Sequence, residues 1–107
     1  MTREINVEII RFVDASQPGF VELKLIDASG QEHFFIEKVP VVTLENLDAD
    51  SSYPRRGVIA CCIVEKKPVD NREVFRVNTE APWGIESTTG ETEFDVFPRQ
   101  LFEHNDA

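Results

Sequence analysis

Few side chains in this sequence are suited to chemistry. They are the adjacent pair Cys61-Cys62, the histidine His33, the arginine pair Arg55-Arg56, the single tryptophan Trp83 and the nearby Glu86. Two neighbouring cysteines suggest a metal site, a disulfide or a reactive thiol. On a strand, however, successive side chains point to opposite faces, so these thiols cannot readily hold one ion or bridge to each other. No Cys-x-x-Cys spacing exists, and no cysteine or histidine stands two to four residues from either histidine. Buried cysteine also packs as a small hydrophobe. The pair is therefore predicted to fill core, and neither a metal nor a cofactor is expected.

His33 sits in Glu32-His33-Phe34-Phe35-Ile36-Glu37. On a strand Glu37 would share its face but lie ~13 Å away along the chain, beyond hydrogen-bond reach. His33 placed opposite Cys61 would imitate a base and its nucleophile. The sequence has no Gly-x-Ser-x-Gly turn to support such a pair. A solvent-facing or cross-strand histidine is expected instead, and no residue is put forward as catalytic. Glu37-Lys38 reads as an ordinary exposed pair of little energetic weight.

Tyr53-Pro54-Arg55-Arg56-Gly57 carries the only arginine pair. Arginine forks suit carboxylates and phosphates, and loops concentrate binding residues. The preferred reading is plainer: both arginines balance Glu45, Asp48 and Asp50 just upstream. Trp83 lies in Thr79-Glu80-Ala81-Pro82-Trp83-Gly84-Ile85-Glu86-Ser87. It is expected to plug one end of a barrel, with a binding anchor as the alternative. A small-molecule site would gather Trp83, Arg55, Arg56 and Glu86. Together with His33, these are the candidate ligand- or partner-binding residues. Glycine-rich phosphate loops are absent, and no spacing singles out a working pair among the 20 acidic residues.

The elements that must position these groups are short. Helical periodicity is scarce, and runs rich in Val, Ile and Phe are punctuated by turn residues. Ile5, Val7 and Ile9 alternate on one face of the first run, Ile5 to Val13. In the second, Phe20 to Asp27, Val21, Leu23 and Leu25 point inward while Glu22 and Lys24 point outward. Asp27-Ala28-Ser29-Gly30 is a turn, and Phe34 and Ile36 share a face of the third run, Gln31 to Lys38. Val39-Pro40-Val41-Val42-Thr43 reads as an extended edge or crossing segment, because Pro40 cannot donate to a ladder. Leu44 to Gly57 reads as a polar loop with at most one helical turn. Val58 to Val64 is apolar at every position and predicts a central strand covered on both sides. Lys66 to Asn71 reads as a turn, and Glu73 to Thr79 as a strand with Phe75 and Val77 inward. A short extended piece covers Ile85 to Ser87 and Thr88-Thr89-Gly90-Glu91 turns the chain. Thr92 to Phe97 is the last strand, with Phe94 and Val96 inside. Leu101 and Phe102 dock, and residues 103–107 form a tail that frays.

One all-β domain over residues 1–107 follows, with little helix. The expected form is a small antiparallel barrel of six to eight strands, with an open rolled sheet or a sandwich as alternatives. A barrel is preferred because closure removes exposed edges. A chain of 107 residues, 41% of them hydrophobic, is apolar enough to build one core.

Net charge is −9, from 20 acidic and 11 basic residues spread through both halves. Without a basic patch, nucleic acid and anionic membrane are poor partners. The N-terminus lacks a signal-peptide pattern, which predicts a cytoplasmic location with reduced cysteines.

Glu37-Lys38-Val39-Pro40, Tyr53-Pro54, Gly57-Val58-Ile59-Ala60-Cys61 and Thr79-x-x-Pro82-Trp83-Gly84-Ile85-Glu86-Ser87 together resemble a group of small uncharacterised bacterial all-β proteins. The resemblance spans about Phe20 to Val96. It implies a compact bacterial barrel and carries no activity, catalytic residue or ligand across. The function expected is non-enzymatic: a protein-binding or accessory domain acting through an acidic surface, with another protein or a second copy as partner. The alternative is a small ligand-binding or enzymatic barrel with its site near Trp83 and Arg55-Arg56.

Overall fold

The structure is a computed structural model and describes residues 2–103. Seven strands form one antiparallel sheet: β1 Thr2–Asp14, β2 Phe20–Ile26, β3 Glu32–Lys38, β4 Arg55–Val69, β5 Arg72–Asn78, β6 Glu93–Val96 and β7 Leu101–Glu103. Their order is β3-β2-β1-β4-β5-β6, with β7 pairing the start of β1. The sheet curls into a half-barrel. Its concave face buries Ile5 and Ile9 of β1, Val21, Leu23 and Leu25 of β2, Phe35 of β3, Ile59 and Cys61 of β4, and Val77 of β5. No helix among the described residues is long and apolar enough to cross a membrane.

The sheet is rolled but not zipped shut. Among the described residues, β3 and β6 form no strand pair. Their edges are tied by the Ala28 N–H to Asp95 O (2.7 Å) and the Thr88 N–H to Phe34 O (2.8 Å). Phe94 fills the gap behind these ties, edge-on to His33 at 4.8 Å and to Phe35 at 5.6 Å between ring centroids. The open rolled sheet is thus the observed form, not a closed barrel.

The third strand presents the other face to the one its apolar residues suggest. His33 and Phe35 are buried, Phe34 is half-buried, and Ile36 is exposed. A four-residue turn would have paired Asp27 with Gly30 and set Phe34 and Ile36 opposite Leu23 and Val21. Instead the Asp27 N–H donates to Gln31 O (2.9 Å) and the Gly30 N–H to Asp27 O (3.0 Å), so the loop holds one residue more. That one-residue shift reverses every side chain of β3. Leu25 accordingly pairs with His33, and Leu23 with Phe35.

Other boundaries differ for equally local reasons. Val39–Val42 is a single helical turn, α1, closed by the Thr43 N–H to Val39 O. Pro40 sits in its first turn, where no N–H donor is needed, and Val39 and Val42 enter the core. Arg55 and Arg56 lie on β4, not in a loop, and Lys66 to Val69 also belong to this strand. The β4–β5 turn is only Asp70-Asn71, both at positive φ (51° and 65°), the geometry two-residue hairpins favour. β4 is central in the sheet: Ile59 and Cys61 are fully buried on one face and Ala60 is buried on the other, while Val64, at the register shift, is 53% exposed. Val77 of β5 is fully buried, Phe75 is half-buried, and Val74 on the opposite face is buried as well. No strand forms over Ile85 to Ser87, although Ile85 and Ser87 are buried. Glu103 ends β7 opposite Arg3, and the remainder of the expected tail, 104–107, lies outside the described residues.

Candidate functional site

Two turns of one construction meet where the sheet edges approach. They are Asp27-Ala28-Ser29-Gly30-Gln31 and Ser87-Thr88-Thr89-Gly90-Glu91. In each, the first side chain accepts backbone N–H groups from two and four residues ahead. Asp27 Oδ1 takes Ser29 and Gln31 (2.9 and 3.0 Å). Ser87 Oγ takes Thr89 and Glu91 (3.2 and 3.0 Å). The glycines supply the left-handed step, with φ of 88° at Gly30 and 85° at Gly90.

His33 lies between the turns with only 6% of its surface exposed. Its Nε2 is 2.8 Å from Asp27 Oδ2, and its Nδ1 is 3.8 Å from Glu91 Oε1. Asp27 Oδ1 also accepts the Ser29 hydroxyl at 2.7 Å. Burial alone would raise the Asp27 pKa. His33, the Ser29 hydroxyl and the two turn N–H groups outweigh it and hold this carboxyl below the ordinary aspartate value. Glu91 Oε1 accepts the Thr89 hydroxyl at 2.9 Å, and its side chain is half exposed.

A cleft of about 390 Å³ opens beside His33, between these turns, the tip of the β4–β5 hairpin and β6. Its apolar lining is Val69, Val74, Phe94 and Phe97. Five carboxylates line it, Asp27, Asp70, Glu91, Glu93 and Asp95, against two arginines, Arg72 and Arg76. Asp95 is already satisfied by Arg76 (Nε to Oδ1, 3.0 Å) and Lys67 (3.3 Å). The Arg76 hydrogen bond, helped by Lys67, outweighs partial burial and lowers the Asp95 pKa. Glu93 reaches Arg76 at 3.7 Å and Asn78 at 3.3 Å. Among the described residues no ion pair forms at Asp70, and the one ion-pair contact of Glu91 is the long one to His33. Arg72 and Phe97 line the cleft, and the guanidiniums of Arg72 and of Arg99, which does not line it, lie 4.0 and 4.6 Å from the Phe97 ring centroid.

Of the candidates singled out from the sequence, His33 alone lines this cleft. It is buried rather than solvent-facing, and it does not face Cys61. Cys61 pairs with Arg3 across β1 and β4, fully buried, with its thiol pushed up to about 12 by burial and then by Cys62. Both ring nitrogens of His33 face carboxylates, so no hydroxyl or thiol stands in a nucleophile's place.

Arg55 and Arg56 line a separate groove with Glu8, Lys24 and Gln100, and neither Trp83 nor Glu86 belongs to it. Arg55 pairs with Glu45 at 2.8 Å, the charge-balancing role expected of it. Arg56 donates to Asn6 Oδ1 at 2.6 Å and lies over Phe102. Trp83 does not plug an end of the sheet: it is 62% exposed. Its loop is pinned by the Thr79 hydroxyl to Ile85 O (2.7 Å) and by the Ile85 N–H to Thr79 O (3.0 Å). Glu86 is exposed two residues beyond the bend.

The groups missed by sequence reasoning are Asp27, Asp70, Arg72, Arg76, Glu91, Asp95 and Phe97. One signal for two of them was present: the repeated pattern of Asp or Ser, two residues, Gly, then Gln or Glu. It marks side-chain-capped turns with a left-handed fourth residue. Among the described residues no group of three or more His, Cys, Asp or Glu side chains could hold a metal ion. Comparison with protein-family models, with curated proteins and with solved structures finds no match for this chain.

Proposed function

We propose that this chain is a non-enzymatic protein-binding domain, and that the cleft between the Asp27 and Ser87 turns receives a basic segment of its partner. The observation that carries this reading is the lining of the cleft: five carboxylates and two arginines above an aliphatic and aromatic floor. Asp70 and Glu91 are the carboxylates with spare acceptor capacity. A lysine or arginine stem packs on Phe94 and Val74 while its head meets those oxygens. The chain's net charge of −9 steers a cationic partner toward it. Trp83 adds an aromatic anchor, held on a pinned loop of the same β5–β6 connection that carries Glu91.

The test uses a short synthetic peptide of alternating Lys and Leu, read by Trp83 fluorescence and by amide shifts. Saturable binding that weakens with salt is expected, with shifts at Glu91 and Phe94. Glu91→Gln and Asp70→Asn each weaken it by roughly 2–5-fold, the range of a partly exposed charge pair. Equal binding of a Glu-Leu peptide, or unchanged affinity in both variants, refutes the reading.

A further inference from the structure

We infer that Arg72 and Arg99, converging on the Phe97 ring, form a binding site for a compact oxyanion, a carboxylate or a phosphate. The inference is independent of the cationic segment proposed above, because it concerns the opposite charge. Among the described residues, Arg11 pairs with Glu22, Arg55 with Glu45, and Arg76 with Asp95. Among these same residues Arg72 and Arg99 make no ion pair within 4.0 Å. Their contact is instead the shared ring of Phe97, at 4.0 and 4.6 Å from its centroid.

An aromatic face holds the carbon side of a guanidinium and leaves its N–H edges to solvent. Each fork then keeps donors suited to a planar carboxylate or a phosphate. The shared ring also sets the two cations within the ~10 Å Debye length at 0.1 M salt, so their repulsion is incompletely screened. An anion at their N–H edges relieves that repulsion. Nearby carboxylates do not do this: Asp95 is occupied by Arg76 and Lys67. Asp70 sits two residues before Arg72, beyond a positive-φ bend, and makes no ion pair with it.

The experiment follows arginine Nε–H and backbone signals in the full-length protein. Sodium phosphate and sodium acetate are titrated separately, with sodium chloride at matched ionic strength as reference. Saturable shifts of the Arg72 and Arg99 Nε–H signals are expected in phosphate, acetate or both, and absent in chloride. A response to phosphate alone assigns a phosphate ligand, and a response to acetate assigns a carboxylate. Arg72→Gln and Arg99→Gln each weaken the response roughly tenfold, as loss of one charge-assisted fork does. Arg72→Lys keeps the charge but loses the fork and also weakens it. Binding of the Lys-Leu peptide persists in Arg99→Gln, whose residue does not line the cleft, and this separates the two proposals. Shifts in wild type no different from those in chloride overturn the inference, as do shifts undiminished in both Gln variants.

Discussion

Asp27 organises the candidate site, and its removal gives the sharpest check of the site's construction. Its carboxylate accepts two turn N–H groups, the Ser29 hydroxyl and His33 Nε2. In Asp27→Ala, the turn donors recover water, because the turn is exposed, and each costs about 0.5 kcal/mol. The His33 contact is buried, and a hydrogen bond to a charged group there is worth about 1.5–3 kcal/mol. The expected loss is about 3–4.5 kcal/mol, which lowers the urea midpoint by about 2 M for a domain of this size. Asp27→Asn keeps a side-chain acceptor for the turn but loses the charge facing His33, so roughly half that loss is expected. The pH dependence has a definite sign. The folded pKa of Asp27 lies below its unfolded value. Its contribution is therefore complete above the unfolded value of ~3.9 and fades as pH falls through the folded pKa. The gap between wild type and Asp27→Asn holds near pH 5 and shrinks below about pH 4. Equal midpoints at pH 7, or a gap that does not shrink below about pH 4, would refute the reasoning.

Two further outcomes follow from the packing. Phe94→Ala removes a ring that is 3% exposed and stands edge-on to both His33 and Phe35. It costs about 3–5 kcal/mol and lowers Tm by roughly 15–25 °C, and a calorimetric loss below about 1 kcal/mol contradicts its role in closing the β3–β6 gap. In thiol titration of the native protein at pH 8, Cys62 reacts and Cys61 does not, because the Cys61 thiol is buried and pushed up to about 12. Cys62→Ser is then inert to the reagent until urea is added, and rapid labelling of native Cys62→Ser contradicts that assignment.

Strand faces that depend only on local alternation were legible in the sequence. Ile5, Val7 and Ile9, and then Val21, Leu23 and Leu25, repeat with the period of a strand, and all six are buried. The inward Phe94 and Val96 were legible for the same reason, and so was the presence, though not the length, of a turn after Asp27. What the sequence left open turned on single residues or on distant contacts. One extra residue in the Asp27 loop reverses β3 and puts His33 inside, a parity that the apolar pattern Phe34, Phe35, Ile36 does not encode. Val39–Val42 winds into a helical turn because Val39 and Val42 meet the core there. The cleft belongs wholly to the tertiary structure. Asp27, Asp70, Glu91 and Asp95 come from the β2–β3, β4–β5 and β5–β6 connections and from β6. They share a site because the twisted sheet curls until the edges of β3 and β6 face each other. Curl accumulates over every strand between those edges, so no local stretch of sequence records it.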